Sequence, residues 1–475
     1  MILNSFTFLV FFVIFFLIYF ISSPKLRFWW LLAASVVFYL FAGLTGFIVL
    51  FGLSVFNYYT GIAIGKAENK NTPLLIACIG NLSALFIFKY LNFFGDSINS
   101  IFHLANIEMT IPFVHLIMPL GISYFILQAI GYNIDIQREM AEPETNFPVF
   151  LSYFLFFPKA VQGPVDRPRL LLPQLHKTHD FDYNRVKNGL YLIGWGLFKK
   201  LVIADRLGVI VNQVYGNTEQ YSGYVLLVAG FFYTFQLYAD FSGYMDMAVG
   251  VSEILGFTIF KNFNKPFAAT SVTDFWKRWH ISLSTWLYEY VFNPISLLKR
   301  DWGIWGMVYA IFITFFLSGL WHGASWVFIM WGILNGFALG YELKTAKWRK
   351  SFFKKMDPKV AKVMMISLTF IFTILSFTFA RANTLSDAWY MLTHIFDSSK
   401  QVSLLSLGLN EMNMTIALAG IALLLALHWS NSKTEYRLTL NQQPTLVRWM
   451  VYCISILVIL NFGILAGSGF IYAQF

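Results

Sequence analysis

The sequence Y-A-D-F-S-G-Y-M-D begins at Tyr238 and is followed by F-N-K-P-F from Phe263, D-F-W-K-R-W-H-I-S-L-S-T-W from Asp274 and L-S-G-L-W-H-G-A-S-W from Leu317. Within these four motifs, His280 and His322 each follow a tryptophan and lie close to apolar runs. An ionisable group that faces lipid is energetically costly, so such residues usually line a cavity and have a function there. The motifs therefore predict a polar, functional centre inside an apolar chain.

The composition places this centre in a membrane. Hydrophobic residues make up 57% of the 475 residues, charged residues make up 12%, and the mean hydropathy is +0.62. A water-soluble domain could not bury so much apolar surface. The long, uniform apolar runs fit helices, which need roughly 20 residues to cross a bilayer. We expect an all-α, polytopic membrane protein with about 11 transmembrane helices plus re-entrant and interfacial helices.

The charges predict topology rather than a polyanionic ligand. The net charge of +10 is concentrated in loops, and residues 344–362 hold eight basic residues against one acid, Asp357. Positive loops stay in the cytoplasm, so this segment is predicted to be cytoplasmic and the poorly basic residues 381–411 to lie outside. We expect no nucleic-acid binding. Cys78 and Cys453 both lie in apolar runs, which argues against a disulfide framework or a thiolate metal cluster.

Several apolar runs are interrupted by polar residues. The motif P-L-G-I-S-Y-F-I-L-Q from Pro119 predicts broken or re-entrant backbone, which membranes tolerate only within protein or beside a cavity. A helix end or an in-plane helix near a membrane interface is predicted from the charged residues Lys199, Lys200, Asp205 and Arg206. Asp240 and Asp246 offer too few ligands for a divalent cation, so we interpret them as a polar helix break or a cavity lining.

The two histidines are predicted to lie on different local structures. Residues 274–290 predict one amphipathic helix with Thr273 as its N-cap. Trp276, Trp279 and Leu283 would share one face of it, and Lys277, His280 and Ser284 a neighbouring stripe. His322 is predicted in a turn between two spans, residues 303–320 and 325–339.

The four motifs, together with P-L-G-I-S-Y-F-I-L-Q and Q-G-P-V-D-R-P from Gln162, resemble the membrane-bound O-acyltransferase family. Within that family they resemble the bacterial branch that includes the membrane subunits for O-acetylation of alginate and peptidoglycan and for D-alanylation of teichoic acids. The chain departs from that branch at Met245 and in the short segment after Tyr290. The resemblance implies a single domain, residues 1–475, folded around a central channel, with a catalytic core at about residues 119–326.

The resemblance also implies roles for the histidines, because His322 matches the family's invariant histidine and His280 the second histidine of the bacterial branch. A neutral imidazole, with a reference pKa of about 6.5, suits general-base catalysis on a hydroxyl. We expect His322 to be the base and His280 to orient the acceptor or to polarise the acyl carbonyl. Five further residues are predicted to contact substrate: Trp279, Ser284, Trp321, Asp240 and Gln128. No bound cofactor and no metal are expected.

The function implied by the resemblance is membrane O-acyl transfer. An acyl group, most simply acetyl, would pass from a cytoplasmic thioester donor, acetyl-CoA or an acyl-carrier thioester, to an extracytoplasmic envelope polysaccharide. The expected location is the bacterial cytoplasmic (inner) membrane, with an extracytoplasmic partner protein of the SGNH type. Alternatives are D-alanyl transfer from a carrier protein to teichoic acid, a transporter with a midplane substrate site, and a scaffold for envelope assembly.

Overall fold

The computed structural model describes residues 1–160, 162–400, 402–430, 436–464 and 469–471, and these residues contain helices and no strand. The helices up to residue 216 are α1 (Phe6–Ile21), α2 (Pro24–Leu40), α3 (Leu44–Lys66), α4 (Asn71–Leu85), α5 (Leu91–Leu104), α6 (Ile122–Gln137), α7 (Phe147–Leu155), α8 (Pro168–Leu175), α9 (Tyr183–Leu197) and α10 (Asp205–Gly216). The remaining helices are α11 (Tyr224–Leu255), α12 (Val272–Trp276), α13 (Ile281–Leu287), α14 (Asn293–Leu298), α15 (Ile304–His322), α16 (Trp326–Lys354), α17 (Pro358–Arg381), α18 (Leu385–Thr393), α19 (Glu411–Trp429), α20 (Tyr436–Asn441) and α21 (Thr445–Phe462).

The predicted all-α, polytopic membrane architecture is confirmed. Within the described ranges, eight helical segments are long and apolar enough to cross a bilayer: α3, the continuous segment Asn71–Leu104, α11, α15, α16, α17, α19 and α21. Two shorter apolar segments, Phe6–Ile21 and Phe147–Lys159, add to them. The chain is thus a multi-pass membrane protein, whereas the expected count of about 11 spans is not confirmed.

The chain divides into two compact units. The first contains Met1–Leu190 and Ala248–Phe260, and the second contains Tyr191–Met247 and Lys261–Phe475. Both candidate histidines belong to the second unit. The expectation of one domain with a catalytic core at about residues 119–326 stays a prediction.

In the first unit, buried amides join three helices. Asn57 of α3 exchanges hydrogen bonds with Asn81 of α4, at 3.0 and 2.8 Å, and accepts another from Asn133 of α6 at 2.8 Å. Such bonds hold membrane helices together because hydrocarbon offers no alternative partner. The broken backbone predicted near Pro119 is also confirmed, since Gly121 is left-handed (φ 74°) and α6 begins only at Ile122.

In the second unit, two expectations about charged residues are wrong in part: the helix break predicted at Asp240 and Asp246 and the helix end predicted at Lys199 and Lys200 do not form, whereas the predicted cavity lining and interface location stay predictions. Helix α11 runs through Asp240 and Asp246 without a break. Lys199 and Lys200 are buried in a π-helical segment, Phe198–Ala204, which continues directly from α9 into α10. The reason is pairing: Lys199 Nζ lies 2.7 Å from Asp246 and Lys200 Nζ lies 2.7 Å from Asp240. Mutual neutralisation and hydrogen bonding make burial of both signs tolerable.

The single amphipathic helix expected at residues 274–290 is also wrong, because the backbone turns at His280. Helix α12 ends at Trp276 and α13 begins at Ile281, so the predicted helical faces do not form. The N-cap is Ser271, whose side chain accepts a hydrogen bond from Asp274 N at 2.9 Å, and not Thr273. A turn between the two spans is confirmed, but it is formed by residues 323–325, and His322 is the last residue of α15 instead of lying in the turn.

Candidate active site

The fold brings the two predicted histidines together. His280 precedes α13 and His322 is the last residue of α15, yet their ring centroids are 6.5 Å apart with the ring planes at 65°. Their exposed fractions are 1% and 6%. Two buried imidazoles this close together can act on the same reacting group, as proton transfer during acyl transfer requires.

His280 is held in an uncommon backbone conformation. Its φ and ψ are 46° and 51°, in the left-handed region that is unfavourable for residues with a Cβ. Asn262 stabilises the turn from both of its oxygens: its carbonyl accepts from Ile281 N at 3.0 Å and its side chain accepts from Ser282 N at 2.9 Å. Burial lowers the pKa of His280 to about 3, so this imidazole is neutral at physiological pH.

Strained backbone of this kind clusters at functional sites. Sequence reasoning did not single out Asn262, and its position directly before the F-N-K-P-F motif was the available signal.

Aromatic rings surround His322. Its ring centroid lies 4.9 Å from that of Trp321 and 5.0 Å from that of Trp331, and the His322 and Trp331 planes are perpendicular at 89°. A small cavity of about 20 Å³ opens beside it, lined by Tyr233, Leu237, His322, Phe328, Trp331, Phe377 and Ala380. Phe328 and Trp331 lie on α16 and were not predicted. Their signal in the sequence was only an aromatic run in an apolar span, which packing alone explains equally well.

Two glycines determine how closely α15 approaches α16. A Cβ on Gly332 would overlap the carbonyl oxygen of Phe315 and lie 3.1 Å from the Cα of Gly319. A Cβ on Gly319 would likewise overlap the carbonyl oxygen of Phe328. Because the backbones touch here, α15 holds His322 and α16 holds Trp331 in a fixed relation.

The predicted substrate-contacting residues near the histidines differ in their surroundings. The Trp321 ring centroid lies 6.2 Å from that of His280. Trp279 is 1% exposed and packs between Phe275, at 5.5 Å, and Phe263, at 5.1 Å. Ser284 Oγ donates to the Trp279 carbonyl at 3.2 Å. Trp321 thus lies next to the histidine pair, whereas the side chains of Trp279 and Ser284 form packing contacts and a hydrogen bond at the segment that carries His280.

Asp240 and Gln128 have other neighbours. Asp240 pairs with Lys200 and accepts a hydrogen bond from Ile471 N at 2.9 Å. Gln128 belongs to the first unit, where its side-chain oxygen accepts from Lys159 Nζ at 3.2 Å. Across the described ranges, no group of three or more His, Cys, Asp or Glu side chains is placed to hold a metal ion.

Comparisons with known proteins agree with the motifs. The profile of the membrane-bound O-acyltransferase family matches residues 137–385. A probable alginate O-acetylase AlgI of Azotobacter vinelandii is 35% identical over 404 residues, which cover 83% of this chain and 78% of that protein. The peptidoglycan O-acetyltransferase of Helicobacter pylori is 33% identical over 415 residues, covering 81% and 76%.

The teichoic acid D-alanyltransferase of Bacillus subtilis is 30% identical over 272 residues, which cover 55% of this chain and 68% of that protein. The family match includes both histidines and spans more than half of the chain. With a buried pair of imidazoles, one of them at the end of the membrane-spanning helix α15, the chain is therefore a multi-pass membrane O-acyltransferase of the membrane-bound O-acyltransferase family.

Proposed function

We propose that this enzyme transfers an acetyl group from a thioester donor in the cytoplasm, acetyl-CoA, for O-acetylation of an envelope polysaccharide outside the bacterial inner membrane. His322 acts as the general base, and His280 orients the acceptor hydroxyl or polarises the acetyl carbonyl. The observation that carries the proposal is the buried histidine pair, with ring centroids 6.5 Å apart, in a chain of this family.

The chemistry of the pair supports these roles. His322 takes the proton from the acceptor hydroxyl while the hydroxyl oxygen attacks the thioester carbonyl carbon. When the tetrahedral intermediate collapses, the carbon–sulfur bond breaks and the imidazolium returns the proton to the leaving thiolate. His280, kept neutral by burial, offers one N–H donor and one nitrogen acceptor, as positioning of a hydroxyl or a carbonyl requires.

The shape of α16 supports transfer between the two sides of the membrane. This helix begins at Trp326, close to His322, and reaches Lys344, the start of the basic segment that we expect in the cytoplasm, about 27 Å further at 1.5 Å per residue. The histidine pair therefore lies far from the side at which an acetyl-CoA donor would arrive. We propose that the thioester end of the donor reaches the histidine pair through a central channel, where the acetyl group is transferred, and that an extracytoplasmic partner protein of the SGNH type completes its delivery.

The relatives support acetyl over D-alanyl transfer. The match to proteins named as alginate and peptidoglycan O-acetylating enzymes extends over more than 80% of the chain, against 55% for the D-alanyltransferase. D-alanyl transfer from a carrier protein is the competing outcome of the experiment below.

The test measures alkali-labile radiolabel transferred from acetyl-CoA to envelope material in membranes containing the wild type, His322→Ala, His280→Ala or His428→Gln. Loss of a general base lowers rates by about 10²–10⁴-fold, so His322→Ala is expected to lose that much activity. His428 is the matched control: it is 6% exposed, like His322, and binds Tyr238 Oη at 2.8 Å, a bond that glutamine can replace. His428→Gln should keep activity within a few-fold.

Equal labelling by the wild type and His322→Ala would refute the general-base assignment. If envelope material is labelled from a D-alanyl carrier protein and not from acetyl-CoA, the enzyme transfers D-alanyl groups instead of acetyl groups.

A further inference from the structure

The cavity beside His322 is large enough for about one oxygen-sized group. A cavity needs roughly 10–15 Å³ to admit a single water molecule, and this one measures about 20 Å³. Leu237, Phe328, Phe377 and Ala380 make most of its wall apolar. An oxygen atom that enters the cavity can therefore form hydrogen bonds only with the few polar groups in the wall.

One of these groups is a buried donor. Trp331 is 3% exposed, and none of the residues that the structure describes offers a hydrogen-bond acceptor to its indole Nε1. Buried N–H groups are nearly always paired, and those that are not call for an explanation. Trp331 lines the cavity together with His322, and the close packing at Gly319 and Gly332 keeps the two side chains in register.

Two other donors near the histidines already have acceptors. Ser284 Oγ donates to the Trp279 carbonyl at 3.2 Å, and Gly323 N donates to the Gly319 carbonyl at 3.3 Å. An acyl carbonyl that approached His322 would find the Trp331 N–H ready for it without breaking an existing bond.

We propose that Trp331 is a further catalytic residue, whose indole N–H donates a hydrogen bond to the acyl carbonyl oxygen in the cavity beside His322. This inference rests on the proposed function. As the acceptor oxygen attacks the carbonyl carbon, the carbonyl π electrons move onto the oxygen. The Trp331 N–H stabilises that negative charge until the carbonyl re-forms and the carbon–sulfur bond breaks. A donor held in place before reaction lowers the barrier because it need not reorganise as charge develops.

The test compares Trp331→Phe with Trp276→Phe. Both changes remove a buried indole N–H for which the described residues provide no acceptor, and the two rings are neighbours with centroids 5.7 Å apart. Only Trp331 lines the His322 cavity. We expect Trp331→Phe to lower kcat for acetyl transfer by about 10²-fold, the usual effect of removing one oxyanion donor. The donor KM should change little, and Trp276→Phe should stay within a few-fold of the wild type.

A melting temperature separates catalysis from packing. Phenylalanine retains an aromatic ring and removes an unsatisfied donor, so Trp331→Phe should melt close to Trp276→Phe while differing in kcat. Equal losses of kcat in both variants, or a kcat for Trp331→Phe near that of the wild type, would overturn the proposal and leave Trp331 as a packing residue or the partner of an ordered water only. If the wild type and His322→Ala label equally, the proposed function fails first, and this inference fails with it.

Discussion

His280 combines a candidate chemical role with a backbone conformation that few residues adopt. At φ 46° and ψ 51°, any residue with a Cβ is disfavoured relative to glycine. We therefore expect His280→Gly to be more stable than His280→Ala by about 1 kcal/mol, although both remove the imidazole and should lose comparable activity. The measurement is thermal unfolding of the purified variants in detergent.

His322 provides the matched control for this order of stability between the glycine and alanine variants. It is the last residue of the right-handed helix α15, where glycine is less favourable than alanine. His322→Ala should therefore be the more stable of its two variants, the reverse of the order at His280. If alanine is the more stable replacement at both positions, the left-handed turn at His280 does not exist in the folded protein.

At the scale of helices, the contact between α15 and α16 is the feature on which the histidine site depends. Gly332→Ala should lower stability by about 1–3 kcal/mol, the usual range for overpacking, because its Cβ would meet the backbone of α15. The displacement should also lower acyl transfer, because His322 and Trp331 lie on the two helices that would separate. Both effects can be read from melting curves and initial rates.

Gly340 lies in the same helix and supplies the control. A Cβ there would meet only Val308 Cγ1 at 3.4 Å, an ordinary contact. Gly340→Ala should be neutral or stabilising, since alanine favours helices over glycine by up to about 1 kcal/mol. Equal tolerance of alanine at both glycines would show that close backbone packing is not what positions the site.

The ion pairs between the π-helical segment Phe198–Ala204 and α11 lead to a second prediction about stability. The Lys199 side chain is 3% exposed, and that of its partner Asp246 is 28% exposed. Asp246→Ala leaves a deeply buried ammonium group and should destabilise by about 3–5 kcal/mol, as removal of one partner of a buried pair does. Lys199→Met leaves the more exposed carboxylate and should cost less.

The double variant Lys199→Met with Asp246→Ala distinguishes pairing from packing. It should be at least as stable as Asp246→Ala alone, because neither charge remains to be solvated. A double variant that is less stable than both single variants would mean that the pair is not coupled in the folded protein.

These charges also show why part of the structure could be predicted and part could not. Apolar runs and loop charge predict helices and sidedness because both depend on local sequence, and the motifs predict the histidines by resemblance. Burial of Lys199 depends on Asp246, a distant residue that no local pattern connects to it. The turn at His280 likewise depends on hydrogen bonds from Asn262, and the position of Trp331 depends on the glycines of two helices.

For the molecule as a whole, the proposed direction of transfer requires that the two ends of α17 lie on opposite sides of the membrane. This helix of 24 residues joins the basic segment 344–362 to residues 382–410. At 1.5 Å per residue it extends about 36 Å, enough to cross a hydrocarbon core of about 30 Å. Lys350 and Ser398 are both exposed and lie before and after this helix.

Single cysteines at these two positions, in a chain whose Cys78 and Cys453 are replaced by serine, report the orientation with a membrane-impermeant maleimide. Ser398→Cys should react in intact cells, and Lys350→Cys only after permeabilisation, because the positive segment is held in the cytoplasm. The reverse pattern would move the acyl acceptor to the cytoplasmic side of the enzyme. Labelling of both positions in intact cells would mean that α17 does not cross, which would remove the separation of donor and acceptor on which acetyl export depends.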